Sequence, residues 1–139
     1  MEMNKDVLTI RPPQADDVNF IMATWLRGVY YGCKWFGQMP KDLFMQGYHS
    51  LLIRLLSTAG IQVRVACLKD DPTVIIGYSV TGGQDSQLHW VFVKTGWRKL
   101  GVARSLVPDT VKSVSHLTKI GSAILKAHPA VVFNPLTAL

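Results

Sequence analysis

Residues 88–106, LHWVFVKTGWRKLGVARSL, leave this chain few choices of fold. The apolar run 88–93 is rich in aromatic and β-branched residues, which predicts a buried strand. Gly96 permits a sharp bend after it. From Gly101 onward, Val102, Leu106 and Val107 fall at helical spacing. A strand that bends into a helix start brings several unbonded main-chain N–H groups to one small volume, where the helix dipole adds positive potential. Such a junction is a phosphate cradle. Arg98 and Lys99 sit in the bend, and Gly101 lacks the Cβ that would hold a ligand away from the backbone.

The chain has 139 residues, enough for one domain and one core over residues 1–139. Its 48% apolar content marks a globular chain. No apolar run approaches the ~20 residues of a membrane span, so no membrane partner is expected. The opening MEMNKDVLTI carries acids and no long apolar stretch, and does not read as a secretory signal. Two cysteines, Cys33 and Cys67, are too few for a disulfide scaffold and fit no zinc spacing. A reducing, cytoplasmic location is the expectation. The net charge is +6, and residues 94–126 hold seven bases, Lys94, Arg98, Lys99, Arg104, Lys112, Lys119 and Lys126, against Asp109. That segment therefore contains the whole excess, and a polyanion should meet it.

The remaining pattern gives an element order. Residues 7–11 alternate and stop at Pro12-Pro13, a first strand. Asp16 or Asp17 caps or charges the start of a helix striped by Val18, Ile21, Met22, Trp25 and Val29. Gly28, Gly32 and Gly37 predict a loop over 28–40, with Tyr30, Tyr31, Trp35 and Phe36 laid against something. Residues 41–57 form a second helix that buries Leu43, Phe44, Tyr48, Leu51, Leu52 and Leu55 and ends at Gly60. Strands at 61–68 and 73–81, joined by a Lys69-Asp70-Asp71-Pro72 turn, form a hairpin. A polar turn at 82–86 leads into strand 88–93. After the bend come a short helix limited by Pro108, a strand at 113–117, a helix from a Thr118 cap to Ala127, and a strand at 130–133. The fold class is α/β (α+β), in the order β-α-α-β-β-β-α-β-α-β.

The spacing Arg98-x-x-Gly101-x-Ala103, preceded by Val91 and Val93 and by Trp97, resembles the acetyl-CoA-binding motif of the GNAT acyltransferases. A nucleotide P-loop would need Lys and Ser or Thr where Val102 and Ala103 stand. An ordinary strand–turn–helix with a solvated basic bend is the plain alternative. The resemblance covers nearly the whole chain, whose end is shorter than in many members. It implies a mostly antiparallel central sheet flanked by helices, and transfer of an acetyl group from acetyl-CoA to a primary amine by direct attack. Val91, Phe92 and Val93 would meet the pantetheine arm. Arg98, Lys99, Leu100, Gly101, Val102, Ala103 and Arg104 would hold the pyrophosphate. The 28–40 connection, with Tyr30, Tyr31 and Trp35, would wall the acceptor site.

Attack needs a neutral amine, hence a base. The only glutamate is Glu2, so the family's strand glutamate has no counterpart, and 118–127 lacks its acid tyrosine. His89, with an intrinsic pKa near neutrality, is the first base candidate and Asp85 the second; Ser115, His116 or solvent would protonate the thiolate. His49 and His128 read as helix-surface residues, and no metal is expected. Expected partners are acetyl-CoA, an amine and a second copy in a homodimer. Two rival readings stand beside this one: an acyl-CoA binder of the same fold without catalysis, and a nucleic-acid-directed protein using Trp97, Arg98 and Lys99.

Overall fold

The computed structural model describes residues 2–117, 122 and 125–138. The strands are β1 (Leu8–Arg11), β2 (Gln62–Leu68), β3 (Ile75–Gly82), β4 (Gln87–Val93), β5 (Ser113–Val114) and β6 (Val132–Phe133). The helices are α1 (Val18–Gly32), α2 (Lys41–Leu56) and the short α3 (Val102–Leu106). Ser122 and residues 125–127 are also helical, while the expected cap Thr118 lies outside the described residues. The element order is the one expected.

The sheet runs β1-β2-β3-β4-β5-β6. The first four strands pair antiparallel, and β4–β5 and β5–β6 pair parallel. Short turns allow the antiparallel meander, whereas parallel steps need crossover connections, and α3 lies in the one between β4 and β5. The two faces carry separate cores. One joins Ile21, Met22, Trp25, Leu26 and Val29 of α1 and Phe44, Leu52 and Leu55 of α2 to Val65, Tyr78 and Val80. The other joins Val102 and Leu106 of α3 to Met3, Leu8, Ala66, Ile76 and Val93. Covered on both sides, β3 is buried along its whole length.

Five local expectations are corrected. The predicted loop at 28–40 begins later, because α1 continues through Gly28 and Gly32. Gly28 serves packing: a Cβ there would lie 2.6 Å from Cζ2 of Trp90. Leu43 and Val18 are exposed, since each lies beside the buried stripe of its helix rather than on it. Asp17 stands at the N-terminus of α1 as expected, where its carboxylate accepts from both guanidinium nitrogens of Arg11 (2.7 and 3.0 Å) and from the Gln14 N–H. The strand expected at 113–117 keeps only Ser113–Val114, and the one at 130–133 only Val132–Phe133.

Candidate acyl-carrier site

The Lys94 N–H donates to Ile76 O at 2.9 Å, which fixes the alternation of β4 against β3. Phe92 and Trp90 therefore turn their main-chain groups to β3, paired with Tyr78 and Val80. Val91 and Val93 turn theirs the other way. On that side β5 meets only Gln87 and Leu88. From Trp90 to Val93 the outer edge of β4 has no strand partner among the described residues, so Val91 and Val93 offer free main-chain groups to an extended ligand. One is already engaged: Nε of Arg98 donates to Val93 O at 2.9 Å. Phe92 sends its ring to Phe20 and Tyr78 instead.

The open edge ends at the predicted bend. A single 3-10 turn, Thr95–Trp97, leads to Lys99 (φ 64°) and Gly101 (φ 81°), both left-handed, and then to α3. Left-handed residues alternating with ordinary ones swing successive amides to one side and form an anion-binding nest. Among the described residues, the N–H groups of 99–104 have no main-chain acceptor. The Arg98 N–H reaches Thr95 O at 3.4 Å, so the free run begins one residue later than expected. Val102 and Leu106, both buried, anchor the nest from below. Arg98, Lys99 and Arg104 bring three positive charges to this stretch of chain. The two ion pairs among the described residues, Arg11–Asp17 and Arg64–Asp85, lie elsewhere. Of the other expected bases, Lys94 lies over the Phe20 ring at 5.4 Å.

Three of the four acid–base candidates meet where β5 leaves β4. His89 is the extra residue of a bulge between the Trp90 and Leu88 pairings. Its Nδ1 lies 2.7 Å from Ser115 Oγ, which lies 2.8 Å from Nδ1 of His116. Burial lowers the pKa of His89. Burial, the largest cause, pushes His116 down to about 4. Both rings are therefore neutral at physiological pH. Asp85 stands apart. It accepts from Arg64 at 3.1 and 2.8 Å and from Thr81 Oγ1 at 2.7 Å, and these bonds hold its carboxyl below the usual range. A carboxylate so engaged is a poor base.

The buried imidazole has a measurable consequence. His116 stays neutral in the folded protein down to about pH 4, while the unfolded chain titrates near 6.5. Between these values the unfolded state binds more protons, so stability falls as pH falls. The loss should approach about 3 kcal/mol from pH 6.5 to 4. His116→Gln should flatten this slope in urea denaturation followed across that range.

The aromatic connection divides in two. Tyr30 is tied inward, donating to Met39 O at 2.9 Å and packing on Phe44. Tyr31 and Trp35 are 63% and 73% exposed. Trp35 borders a shallow groove with Phe36, Gln38 and Met39. Three residues without a site role in the sequence reading surround His116: its ring meets Trp25 (5.3 Å between centroids), Tyr48 (5.9 Å) and Trp90 (6.0 Å). The one local signal was Gly28, which falls between Trp25 and Val29 of the apolar stripe. Among the described residues, no group of His, Cys, Asp and Glu is placed to hold a metal ion, and no helix is long and apolar enough to cross a membrane.

No protein-family model matches the chain. No curated protein matches it either. Solved structures do. A structure named "Putative acetyl transferase from Pyrococcus furiosus" is similar with a TM-score of 0.58 at 14% identity, over 91% of this chain and 80% of that one. A GCN5-related N-acetyltransferase from Rhodopseudomonas palustris is similar with a TM-score of 0.52 at 14% identity, over 94% of this chain and 69% of that one. At such identities the likeness establishes the fold, which is that of the GNAT acetyltransferases.

Proposed function

We propose that this chain, which has the GNAT fold, moves an acetyl group from acetyl-CoA to a primary amine. One observation carries the reading: the unpaired edge of β4 at Val91 and Val93 leads directly to a run of free amides at 99–104. The first part suits an extended amide-bearing arm, and the second a diphosphate. In the complex the pantetheine lies along β4 as an added strand, and the Arg98 side chain gives up Val93 O or shares it. The nest holds the pyrophosphate, with Arg98, Lys99 and Arg104 adding charge-assisted bonds. An N–H on the β4 edge stabilises the oxyanion that forms on the thioester carbonyl. Holding amine and thioester together supplies much of the rate, and a neutral imidazole is a competent base.

The test is release of coenzyme A thiol from acetyl-CoA by the purified protein across a panel of primary amines. Saturable, amine-dependent release supports the reading. Binding without release for every amine favours a non-catalytic acyl-CoA binder. Salt-sensitive nucleic-acid binding with no acetyl-CoA binding would replace both.

A further inference from the structure

We propose that His89, Ser115 and His116 form a two-way proton relay for this reaction, carrying the amine's proton away from the reacting centre and returning one to the departing thiolate. The inference rests on the acyltransferase reading and deepens it. Its starting point is one hydroxyl between two imidazoles. Ser115 has a single O–H, yet both Nδ1 atoms lie within hydrogen-bond distance of it, at 2.7 and 2.8 Å. The hydroxyl donates to one ring and accepts from the other. The two neutral imidazoles are thus opposite tautomers. One carries its proton on Nε2, and the other leaves Nε2 bare.

The outer nitrogens complete the argument. Nε2 of His89 and Nε2 of His116 are both buried without a partner among the described residues. Such atoms are costly in a core unless they have a use. They are the two ends of the chain of bonds. The His116 end sits beside Trp90, where β4 and β5 part and the open edge begins. The His89 end abuts Gly82: a Cβ there would come within 3.0 Å of its Nε2, and Gly83 beyond is exposed. Gly82, Ile61 and Gln87 meet at that end, and the turn begins at Gly83. The titratable groups facing the relay are few. Tyr48 of α2 meets His116, and burial raises its phenol, which stays neutral. The Arg64–Asp85 pair closes the turn beyond Gly82.

The protons balance over one turnover. The neutral amine attacks the thioester and its nitrogen becomes positive. With His116 as the Nδ1-protonated ring of the pair, its bare Nε2 takes that proton. Its Nδ1–H passes to Ser115, the Ser115 hydroxyl proton passes to Nδ1 of His89, and Nε2–H of His89 leaves to water. Both tautomers are now inverted. When the carbon–sulfur bond breaks, His116 Nε2–H protonates the thiolate, and a proton entering at His89 restores the first arrangement. Amine and thioester become amide and thiol with no net change in protons. Ser115 and His89 act through His116 and are positioning residues.

The test compares Ser115→Ala with Ser115→Thr. The alanine variant should bind acetyl-CoA like the parent but lose about 100-fold in kcat with little change in KM, a loss of the size general acid–base catalysis supplies. Threonine, which restores the hydroxyl, should recover most of it. Unchanged kcat in the alanine variant, or no recovery with threonine, would overturn the relay while leaving the acyltransferase reading intact. Failure of the parent to bind acetyl-CoA would instead overturn that reading. Nitrogen-15 NMR of the imidazoles needs no turnover: one ring should be Nδ1-protonated and the other Nε2-protonated. Two rings of one tautomer in the parent would also overturn the relay.

Discussion

Gly101→Glu will weaken acetyl-CoA binding about 100-fold or more while leaving the protein folded. Gly101 has φ 81°, a conformation that costs an ordinary side chain roughly 1–2 kcal/mol. That strain is too small to unfold a typical domain, whose net stability is about 5–15 kcal/mol. The effect on binding is larger. The new carboxylate would project beside the free amides of 99–104 and compete for the bonds a diphosphate would accept. It would also repel the ligand's charge. Losing one or two charge-assisted bonds at about 1.5–3 kcal/mol each gives the stated factor. Gly101→Ala imposes similar strain without charge and should lose much less affinity. Calorimetric titration of the two variants separates backbone strain from electrostatic blockade. If both bind as the parent does, the nest is not the anion site.

Trp25→Ala has the largest expected effect on stability. Trp25 is fully buried and stacks on Trp90 at 5.8 Å between centroids. It also meets the His116 ring, so it joins α1 to β4 and to the segment after β5. Truncation should cost about 3–5 kcal/mol, through lost burial and the cavity left behind. Urea denaturation of this variant should show the midpoint falling with little change in slope. A loss below about 1 kcal/mol would mean that the Trp25–Trp90–His116 cluster is not packed as described. Gly28→Val tests the same contact from the other side, because a side chain there must displace the Trp90 ring.

Local pattern carried the sequence reading as far as local physics determines structure. Alternation in 61–68, the apolar run 88–93 and the helical stripe through Ile21, Trp25 and Val29 announce their elements without knowledge of the rest. The bend was legible from its glycines but not at the right one: Gly96 keeps an ordinary φ, and the left-handed residues are Lys99 and Gly101. The misreadings arose from partners distant in sequence. Gly28 reads as a loop glycine until Trp90 is laid against it. Asp85 reads as a free acid until β2 brings Arg64 to it. His89, Ser115 and His116 were separate candidates. Only the parallel register pairing Leu88 with Val114 sets them in line. Leu43 and Val18 were misplaced by one position of helical phase, a difference apolarity alone does not reveal.

The central claim is that an extended, diphosphate-bearing ligand lies along the outer edge of β4 and ends in the bend before α3. Backbone amide NMR with coenzyme A added stepwise tests it directly. The account predicts saturable shifts concentrated at Val91, Val93 and residues 99–104, with β1 and β2 unmoved. Shifts centred elsewhere, or none at saturating coenzyme A, would contradict it.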